Sequence, residues 1–509
     1  MLYIMKNVLL FGAGKSATVL IDYLLKNAGK EHWHLRLADS NKNMALEKIA
    51  GSPYGTAIAI DIADDAARKA LVQGADIVIS LLPPALHSVV ANDCIAFSKN
   101  LLTASYVDES MRGLGKSIEE KGLLFLCEMG LDPGIDHMSA KKMIDEIHLK
   151  NGKIISFMSH CGGLVAPQSD NNPWHYKISW NPKNVVMAGK AGAIYKQNGD
   201  IVELNYEDLF AEKRYIPIPG SEALCWYPNR DSLSYITLYG LEETETFIRT
   251  TLRHPDFIYG WKNIIDLKLT SEDLFYNTDQ CSLSSFFRDH MDKNGFSQWL
   301  ENKLRDQFDM TKGLLAELVN LVELEQKATD KGVDTPEEFM MVDGKGDLQQ
   351  VDIDDLKINA AATLADKMHD ASLTLKQLFY LGMDDDNTFI NKGQCSAAEV
   401  LQFALEKKLA LQSGDKDMVI MLHEIEYTLD HKKFKSTASL VVTGENDAQT
   451  AMAKTVGLPL GIAAKFILDG TIQQKGLHIP VAKEIYMPVL EELKQYGIFF
   501  KEETIAVDQ

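Results

Sequence analysis

Two glycines and a small residue near the start of the chain have the spacing of a phosphate-binding turn. Gly12, Gly14 and Ala17 lie in "NVLLFGAGKSATVLIDYLL", where a strand-like apolar run leads through a turn into a helix-like segment. The first glycine allows the turn, the second lets the backbone approach a pyrophosphate, and the small third residue lets the helix pack on the strand. The helix N-terminus offers free N–H groups to phosphates. The pattern predicts a dinucleotide site.

A carboxylate ends the second strand-like run, "HLRLADSN". Asp39 could accept hydrogen bonds from both ribose hydroxyls of an adenosine, and it would repel a 2′-phosphate. Ser40 and Asn41 follow it, where an NADP site usually has a basic residue, and Lys42 comes next. We therefore expect NAD, with NADP kept open by Lys42. Asp61 ends the third run, where it could reach the adenine edge or cap a helix.

Polar and constrained residues also follow the later strand-like runs. Pro83 and Ser105 come after the fourth and fifth runs, and "FLCEMGLDPGIDH" places Asp132 after the sixth. Ligands of open α/β sheets bind along the carboxyl ends of the strands, so we expect Asp132 to lie near a nicotinamide and the substrate above it. A turn cap with Pro133 is the structural alternative for Asp132. For His137, a satisfied structural histidine is the preferred interpretation.

The elements that must hold these residues form an α/β pattern. Between residue 6 and about residue 130, six short apolar runs have the composition of strands buried on both faces of a parallel sheet. Helix-like segments at 17–26, 65–72, 87–97 and 109–121 separate these runs. Alternating strands and helices predict a doubly wound Rossmann domain over residues 1–130.

The remainder of the chain changes texture twice. Strands and turns over 131–270 and 411–480 predict a mixed α/β substrate-binding domain, and the acid-rich helical block at 271–410 is predicted to be an all-helical insertion within it. Residues 481–509 are predicted to be a C-terminal tail. Acidic runs at 343–355 and 383–389 lack the ligand spacing of an EF-hand, so we expect solvated loops and no metal.

Composition excludes several classes of protein. The 509 residues carry a formal charge of −20, which argues against a nucleic-acid partner because a phosphate backbone needs a basic surface. The 6 cysteines form no CxxC pair, so reduced thiols in a cytoplasmic protein are expected. No apolar run of the sequence approaches the length of a membrane span, and no membrane partner is expected.

Four further stretches carry a resemblance to a known family: "GLDPGIDHMSA", "SFMSHCGGLVAPQSDNNPWHYKISWNPKNV", "YPNRDS" and "TLRHPDF". With them in view, nearly the whole chain resembles saccharopine dehydrogenase of the L-glutamate-forming type, also called saccharopine reductase. The resemblance implies a nicotinamide-dependent oxidoreductase of lysine metabolism. It would interconvert saccharopine and NAD(P)+ with L-glutamate, 2-aminoadipate 6-semialdehyde and NAD(P)H. The partner would be a small amino-acid substrate, with a homodimer as a possible assembly.

The resemblance also implies roles for individual residues. Substrate contacts are expected from Ser105, Tyr106, Asp132, Arg230, Thr251, Leu252 and Arg253. Beside Gly12, Asp39 and Asp61, cofactor contacts are expected from Gly14, Lys15, Ser16, Ala17, Pro83, Ala104, Ser105, Leu131, Asp132, Pro133 and Trp180. One departure concerns the cofactor, because fungal relatives of this type use NADP and carry a basic residue where this chain has Asp39.

The expected chemistry fits these residue types. Saccharopine carries three carboxylates, and Arg230 and Arg253 could each bind one through a two-point fork that Lys cannot form. A surface ion pair is the structural alternative for each arginine. Asp132 could hold a substrate ammonium. No general base is assigned, and Asp132 and Lys177 are the candidates. Cys161 is expected to be a small buried residue rather than a nucleophile.

Two other functions stay open from the sequence. A related imine reductase acting on carboxynorspermidine would share the fold, although two arginines favour a tricarboxylate. A catalytically silent dinucleotide-binding sensor or assembly subunit would not need the Asp132, Arg230 and Arg253 side chains. Formation of reduced nicotinamide from saccharopine would discriminate between these functions.

Overall fold

A computed structural model describes residues 5–330, 338–342 and 348–507. The chain forms two compact units. The first unit comprises residues up to 171, residues 175–255 and residues from 409 onward, and the second comprises residues 172–174 and 256–408. The helical insertion was predicted at 271–410, whereas the main segment of the second unit already begins at residue 256. Part of the first acidic run, residues 343–347, lies outside the described residues, and the expectation of a loop is wrong for the rest of the run, because Leu348–Asp352 is a strand and a helix begins at Ile353.

The first part of unit one alternates strands and helices. Its strands are β1 (Lys6–Phe11), β2 (Trp33–Asp39), β3 (Gly55–Ala59), β4 (Ile77–Ser80), β5 (Asn100–Thr103) and β6 (Leu124–Leu126). Its helices are α1 (Thr18–Glu31), α2 (Lys42–Ile49), α3 (Asp65–Gln73), α4 (His87–Ala96), α5 (Glu109–Gly113), α6 (Gly115–Glu120) and α7 (Ile135–Leu149). All six predicted strands are present, and α2 is an additional helix that the apolar pattern does not predict.

A second group of strands follows α7. It contains β7 (Lys153–Val165), β8 (Ala193–Gln197), β9 (Asp200–Leu204), β10 (Arg214–Ile216), β11 (Leu224–Pro228), β12 (Arg230–Asp231) and β13 (Thr246–Arg253). Short helices connect some of them: α8 (Pro182–Val186), α9 (Tyr206–Leu209) and α10 (Ile236–Tyr239). Strand β13 pairs in parallel with β7 and antiparallel with β11, so this sheet is mixed.

The second unit is mostly helical. Its helices are α11 (Pro255–Asp266), α12 (Leu283–Lys293), α13 (Phe296–Asp330), α14 (Ile353–Tyr380) and α15 (Ala397–Lys408). Its strands are β14 (Phe275–Asn277), β15 (Glu338–Val342), β16 (Leu348–Asp352) and β17 (Gln394–Ser396). They form two antiparallel pairs, β14 with β17 and β15 with β16, so the helical block also contains short sheets.

The last part of the chain completes both sheets of unit one. Its elements are β18 (Asp417–Leu429), β19 (Lys432–Thr443), α16 (Ala451–Leu468), β20 (Gly476–His478), α17 (Lys483–Lys494) and β21 (Lys501–Val507). The parallel sheet has the order β20-β6-β5-β4-β1-β2-β3, and the path through the mixed sheet is β10-β11-β13-β7-β18-β19-β21. The prediction of a simple tail at 481–509 is therefore wrong, because α17 and β21 belong to the folded unit. Strand β20 also joins the Rossmann sheet rather than the substrate sheet.

Helix α16 ties the end of the chain to the cofactor domain. An added Cβ at Gly457 would meet the backbone N of Leu20 in α1 at 2.8 Å, so glycine permits this close approach. By length and composition α16 is the one helix among the described residues that could cross a membrane. However, 67% of it is buried within the fold, as in the core helix of a globular domain.

Candidate active site

The predicted phosphate-binding turn has the required backbone. Gly12 has φ +100°, and an added Cβ there would meet the carbonyl oxygen of Leu81 at 2.8 Å, so only glycine fits. Gly14 faces open space, with nothing within 4 Å of an added Cβ. Ala17 is 1% exposed and packs in the core, while Lys15 is exposed and Ser16 half-buried. The turn therefore has room for a pyrophosphate beside free backbone N–H groups.

Asp39 lies at the end of β2 as predicted, but its carboxylate is turned toward the protein backbone. One oxygen, Oδ2, accepts a hydrogen bond from the N–H of Ala13 at 2.7 Å. The other, Oδ1, accepts one from the N–H of Asn41 at 2.7 Å. Asp39 thus fixes the glycine turn to the start of α2, and only the remaining lone pairs could receive a ribose hydroxyl.

Two other predicted cofactor residues lie exposed at the same edge. Asp61 Oδ1 accepts a hydrogen bond from the N–H of Ala63 at 2.9 Å, within a turn. The N-cap of α3 is Asp64, not Asp61, so the capping alternative for Asp61 is wrong. Pro83 follows β4 with its ring exposed. These positions agree with a ligand along the carboxyl ends of the strands.

A buried histidine joins the ends of β4 and β5. His87 is 5% exposed, and its Nδ1 atom lies 2.9 Å from Ser80 Oγ. Its Nε2 atom lies 2.8 Å from Ser105 Oγ. Burial lowers the pKa of His87 to about 4, so the ring is neutral at pH 7. Ser105 is thereby held in place between the predicted cofactor and substrate regions.

Two carboxylates that follow β6 meet an arginine of β13 in a charged group, which we call the acid–arginine cluster: Asp132, Asp136 and Arg249. Arg249 projects from β13, is 2% exposed, and donates from Nη2 to Asp132 Oδ1 at 2.6 Å and to Asp136 Oδ2 at 2.9 Å. The Tyr106 hydroxyl donates to Asp132 Oδ1 at 3.3 Å. Thus the loop after β5, the loop after β6 and the mixed sheet meet at Asp132.

The two carboxylates of the cluster differ in proton affinity. Burial and the neighbouring charge of Asp136 raise the pKa of Asp132 to about 6, against the attraction of Arg249. Burial opposes ionisation of Asp136 as well, but the charges of His137 and Arg249 hold its pKa below the usual value. Asp132 can therefore gain and lose a proton near neutral pH, whereas Asp136 stays ionised.

A second layer of buried hydrogen bonds supports the cluster. His137 is 0% exposed, with Nε2 2.8 Å from Glu128 Oε2 and Nδ1 2.7 Å from the Tyr239 hydroxyl. The Tyr235 hydroxyl donates to the same Glu128 oxygen at 3.0 Å, and its ring lies 4.4 Å from the Arg249 guanidinium. Every polar atom of the His137 ring is used within the protein. This arrangement agrees with a structural histidine.

Arg230 occupies the rim of the cluster. Its guanidinium carbon lies 5.3 Å from the centroid of the Tyr106 ring, and the side chain is exposed. Its φ of +53° is uncommon for a residue other than glycine, and such strain is often found at ligand sites. No carboxylate in the described part of the chain lies within ion-pair distance of it, so the surface ion-pair alternative does not apply.

Arg253 lies in a different environment. It is 4% exposed, its guanidinium lies 5.2 Å from the Tyr176 ring, and its Nη1 donates to the carbonyl of Leu252 at 2.8 Å. The Tyr176 hydroxyl in turn accepts from Trp180 Nε1 at 2.9 Å. Arg253 and the predicted cofactor residue Trp180 therefore share Tyr176.

The side chains of Thr251 and Leu252, which precede Arg253 in β13, are less accessible to a substrate than predicted. The Leu252 side chain is 0% exposed within an apolar cluster, so only its backbone could contact a substrate, and Thr251 is half-buried. Burial raises the pKa of the Cys161 thiol, and the charges of Asp132 and Arg253 both act on it. Cys161 is thus a buried thiol within electrostatic range of both arginine sites, as expected of a packing residue.

Lys177 does not join the acid–arginine cluster. Its Nζ donates to Asp415 Oδ2 at 2.6 Å, and the side chain is 4% exposed. Burial opposes ionisation of Asp415, but the hydrogen bond from Lys177 holds its pKa below the usual value. The Lys177 side chain is thus engaged in an ion pair within the protein, and of the two candidate bases Asp132 is the one that lies in the acid–arginine cluster.

Sequence reasoning missed several residues of the site. Arg249, Asp136 and Glu128 belong to the network around Asp132, and Lys48 contacts the glycine turn. The signal for Arg249 was available, because a charged residue within the apolar strand "TFIRTTLR" needs a buried partner. Lys48 gave no such signal, since its contact depends on how α2 packs.

Two family models match the chain over most of its length. The model described as "Saccharopine dehydrogenase NADP binding domain" matches residues 8–126. The model described as "Saccharopine dehydrogenase C-terminal domain" matches residues 130–498. The boundary between them falls next to the end of the predicted Rossmann domain.

Individual proteins agree with these models. Saccharopine dehydrogenase (NADP+, L-glutamate-forming) of Saccharomyces cerevisiae is 33% identical over 506 residues, which cover 98% of this chain and 100% of that protein. Mitochondrial alpha-aminoadipic semialdehyde synthase of Bos taurus is 33% identical over 506 residues, which cover 97% of this chain but 47% of that protein. The solved structure of apo saccharopine dehydrogenase (L-Glu forming) from Saccharomyces cerevisiae has a TM-score of 0.76 at 30% identity, covering 98% of this chain and 100% of that one.

Proposed function

This chain belongs to the saccharopine dehydrogenase family, and from that premise we propose which of its residues carry the reaction. The protein is an oxidoreductase of the saccharopine pathway of lysine metabolism. It interconverts saccharopine and NAD(P)+ with L-glutamate, 2-aminoadipate 6-semialdehyde and NAD(P)H. The observation that supports the site best is the half-buried Asp132 carboxylate, held by Arg249 and Tyr106 next to the exposed fork of Arg230.

The cofactor is a nicotinamide dinucleotide, and the names of the relatives favour NADP over the NAD that Asp39 predicts. The turn fits such a group, because Gly12 permits the bend and the surface at Gly14 is open. We propose that the N–H groups of Gly14, Lys15 and Ser16 hold the pyrophosphate, while the Ala17 N–H donates to the Gly14 carbonyl at 3.1 Å and closes the turn. The orientation of Asp39 explains why its carboxylate is a weak predictor of the cofactor.

We propose that the two arginines bind carboxylates of saccharopine. Arg230 is exposed and unpaired among the described residues, so its fork can receive a distal carboxylate directly. Arg253 is supported by its contact with Tyr176, beside Trp180. Ser105 and Tyr106 follow β5, and the Tyr106 side chain contacts both Asp132 and Arg230. They would orient the secondary amine of the substrate near Asp132.

The role proposed for Asp132 is to hold the secondary amine and take its proton. A bound nicotinamide would accept the hydride from the carbon next to that nitrogen. Loss of the proton and the hydride converts the amine to an imine, and addition of water then cleaves the C–N bond to release glutamate and the semialdehyde. The pKa of about 6 suits Asp132 to accept a proton at neutral pH. Arg249 and Tyr106 keep the carboxylate in position.

The proposal also covers the assembly of the protein and its cellular location. The protein acts on a small amino-acid substrate, and we propose a homodimer in the cytoplasm without nucleic-acid or membrane partners. All 6 cysteines are free, which supports a reducing compartment. The parallel sheet would bind the cofactor and the mixed sheet the substrate.

The test is a spectrophotometric assay of saccharopine with NADP and NAD, with glutamate measured separately. We expect reduced nicotinamide and glutamate in equal amounts. Appearance of lysine and 2-oxoglutarate instead would assign the other branch of saccharopine dehydrogenases. Activity on carboxynorspermidine without activity on saccharopine would favour the imine-reductase alternative, and no turnover with tight cofactor binding would favour the silent sensor.

A further inference from the structure

Lys48 of α2 reaches back to the phosphate-binding turn. Its Nζ donates to the carbonyl oxygen of Gly14 at 2.6 Å and to Thr18 Oγ1 at 2.7 Å. Gly14 is the second glycine of the turn, and Thr18 is the first residue of α1. The amine therefore lies beside the helix N-terminus where the cofactor phosphates are expected.

This amine is half-buried, yet no carboxylate in the described ranges of the chain lies within ion-pair distance of it. Burial lowers the pKa of Lys48 to about 8, and the more distant charges of Asp22 and Asp39 offset part of that effect. An ammonium has three N–H donors, and two of them bind neutral oxygens here. A partly desolvated cation with a spare donor is stabilised most by an anion.

The nearby ribose position identifies that anion. Asp39 ends β2, where the adenosine ribose of a Rossmann cofactor lies, and NADP differs from NAD by a phosphate on the 2′-hydroxyl of this ribose. Both Asp39 oxygens are engaged by the N–H groups of Ala13 and Asn41. Asp39 Oδ2 accepts from the N–H of Ala13 and Lys48 Nζ donates to the carbonyl of Gly14, so the two side chains contact adjacent residues of the turn. Lys42, in contrast, is exposed at the start of α2.

We propose that Lys48 binds the 2′-phosphate of NADP and compensates the charge of Asp39, so that it determines the cofactor preference. This inference rests on the dinucleotide-binding part of the proposed function and not on the identity of the oxidised substrate. A structural lysine that only fixes the turn would support NAD and NADP equally. A phosphate-binding lysine supports NADP alone.

The experiment uses the whole protein and two fragments that differ only in the 2′-phosphate. Calorimetric titrations with 2′,5′-ADP and 5′-AMP are made on the wild type and on Lys48→Met, Lys48→Arg and Lys42→Met. We expect Lys48→Met to weaken the binding of 2′,5′-ADP by about 10- to 100-fold, which is the range of a charge-assisted hydrogen bond. The affinity for 5′-AMP should change by no more than about twofold. Lys48→Arg keeps the charge and should retain most of the 2′,5′-ADP affinity.

Each other result overturns the proposal. Equal weakening of both fragments in Lys48→Met would show that Lys48 only shapes the turn, and 5′-AMP binding also reports whether that variant is folded. Selective loss of 2′,5′-ADP in Lys42→Met, with Lys48→Met unchanged, would assign the phosphate to Lys42. A wild type that does not prefer 2′,5′-ADP would remove the 2′-phosphate site. Because saccharopine is absent from these titrations, failure of the substrate assignment would not affect them.

Discussion

Two arginines lie over the same ring, that of Tyr106, in opposite surroundings. Arg249 lies 5.8 Å from the ring centroid, is 2% exposed, and contacts the carboxylates of both Asp132 and Asp136. Arg230 lies 5.3 Å from the same centroid and is exposed. Among the described residues no carboxylate pairs with Arg230. One arginine is committed to protein anions, and the other keeps its fork free for a ligand.

This difference separates positioning from binding. A buried ion pair adds little net stability, because desolvation offsets the attraction, but it fixes the groups in place. Arg249 therefore holds Asp132 where a substrate amine can reach it. Arg230 is held by backbone in the left-handed region and by the Tyr106 ring, so its conformation is set before a carboxylate arrives.

The largest expected effect tests the buried side of this comparison. Arg249→Met removes the cation between the buried Asp136 carboxylate and the half-buried Asp132 carboxylate, and breaking a buried pair in this way costs about 3–5 kcal/mol. We expect the unfolding transition in denaturant at pH 7 to shift accordingly. Arg230→Met is the matched control, and its change should stay within about 0.5 kcal/mol. Equal destabilisation by both variants would contradict the distinction between the two arginines.

Some elements of the fold can be predicted from the sequence and others cannot. Continuous apolar runs predict the strands of the parallel sheet, since Val8 and Leu10 are buried in a cluster on one face and Leu9 in a cluster on the other. Helix α2 has two buried residues, Ala45 and Ile49, so its apolar periodicity is too weak to predict it. Strand β20 has three residues and no signal above that of a loop. Its role depends on pairing with β6, which local sequence does not encode.

Side-chain direction limited the prediction of the site. Asp132, Arg230 and Tyr106 were found from motifs, and the structure places these three together. The position of Asp39 was predicted correctly, but its hydrogen bonds to the backbone N–H groups of Ala13 and Asn41 depend on loop geometry. A carboxylate at the end of a strand can face a ribose or the protein, and the sequence does not distinguish the two.

A smaller effect is expected on the exposed side. Arg230→Lys keeps the charge but removes the two-point fork, and loss of a charged hydrogen bond costs about 1.5–3 kcal/mol, or tenfold to a few hundredfold in kcat/KM for saccharopine. Arg253→Lys should lose a similar amount if Arg253 also binds a carboxylate. Arg305→Lys is the control, because Arg305 pairs with Glu301 on the surface of the second unit. Unchanged kinetics at Arg230 or Arg253 would remove that arginine from the substrate site.

The pH dependence of kcat/KM tests the role of the Asp132 carboxylate that Arg249 holds in place. Because burial raises its pKa to about 6, Asp132 is a carboxylate above that pH and a neutral acid below it. Only the carboxylate can take the proton of the substrate amine, so kcat/KM should fall by about tenfold per pH unit below pH 6. Asp132→Asn should abolish this acid limb and lower the plateau. A limb that persists in Asp132→Asn would belong to another group.

The smallest expected effect concerns His87, which touches neither arginine and acts through Ser105. Its ring links Ser80 Oγ at 2.9 Å to Ser105 Oγ at 2.8 Å. We expect His87→Phe to reduce kcat by less than about tenfold, because a displaced hydroxyl costs one neutral hydrogen bond of about 1 kcal/mol. The acid limb should not move, since burial lowers the pKa of His87 to about 4 and the ring stays neutral above pH 5.

The double variant decides whether His87 works through Ser105. If the only function of His87 is to orient that hydroxyl, His87→Phe adds nothing once Ser105→Ala has removed it, and the two changes are non-additive in kcat. Additive losses would mean that His87 supports the cofactor edge by another contact, such as the one with Ser80. A shift of the acid limb in His87→Phe would instead mean that the histidine, rather than Asp132 beside Arg249, sets the pH dependence.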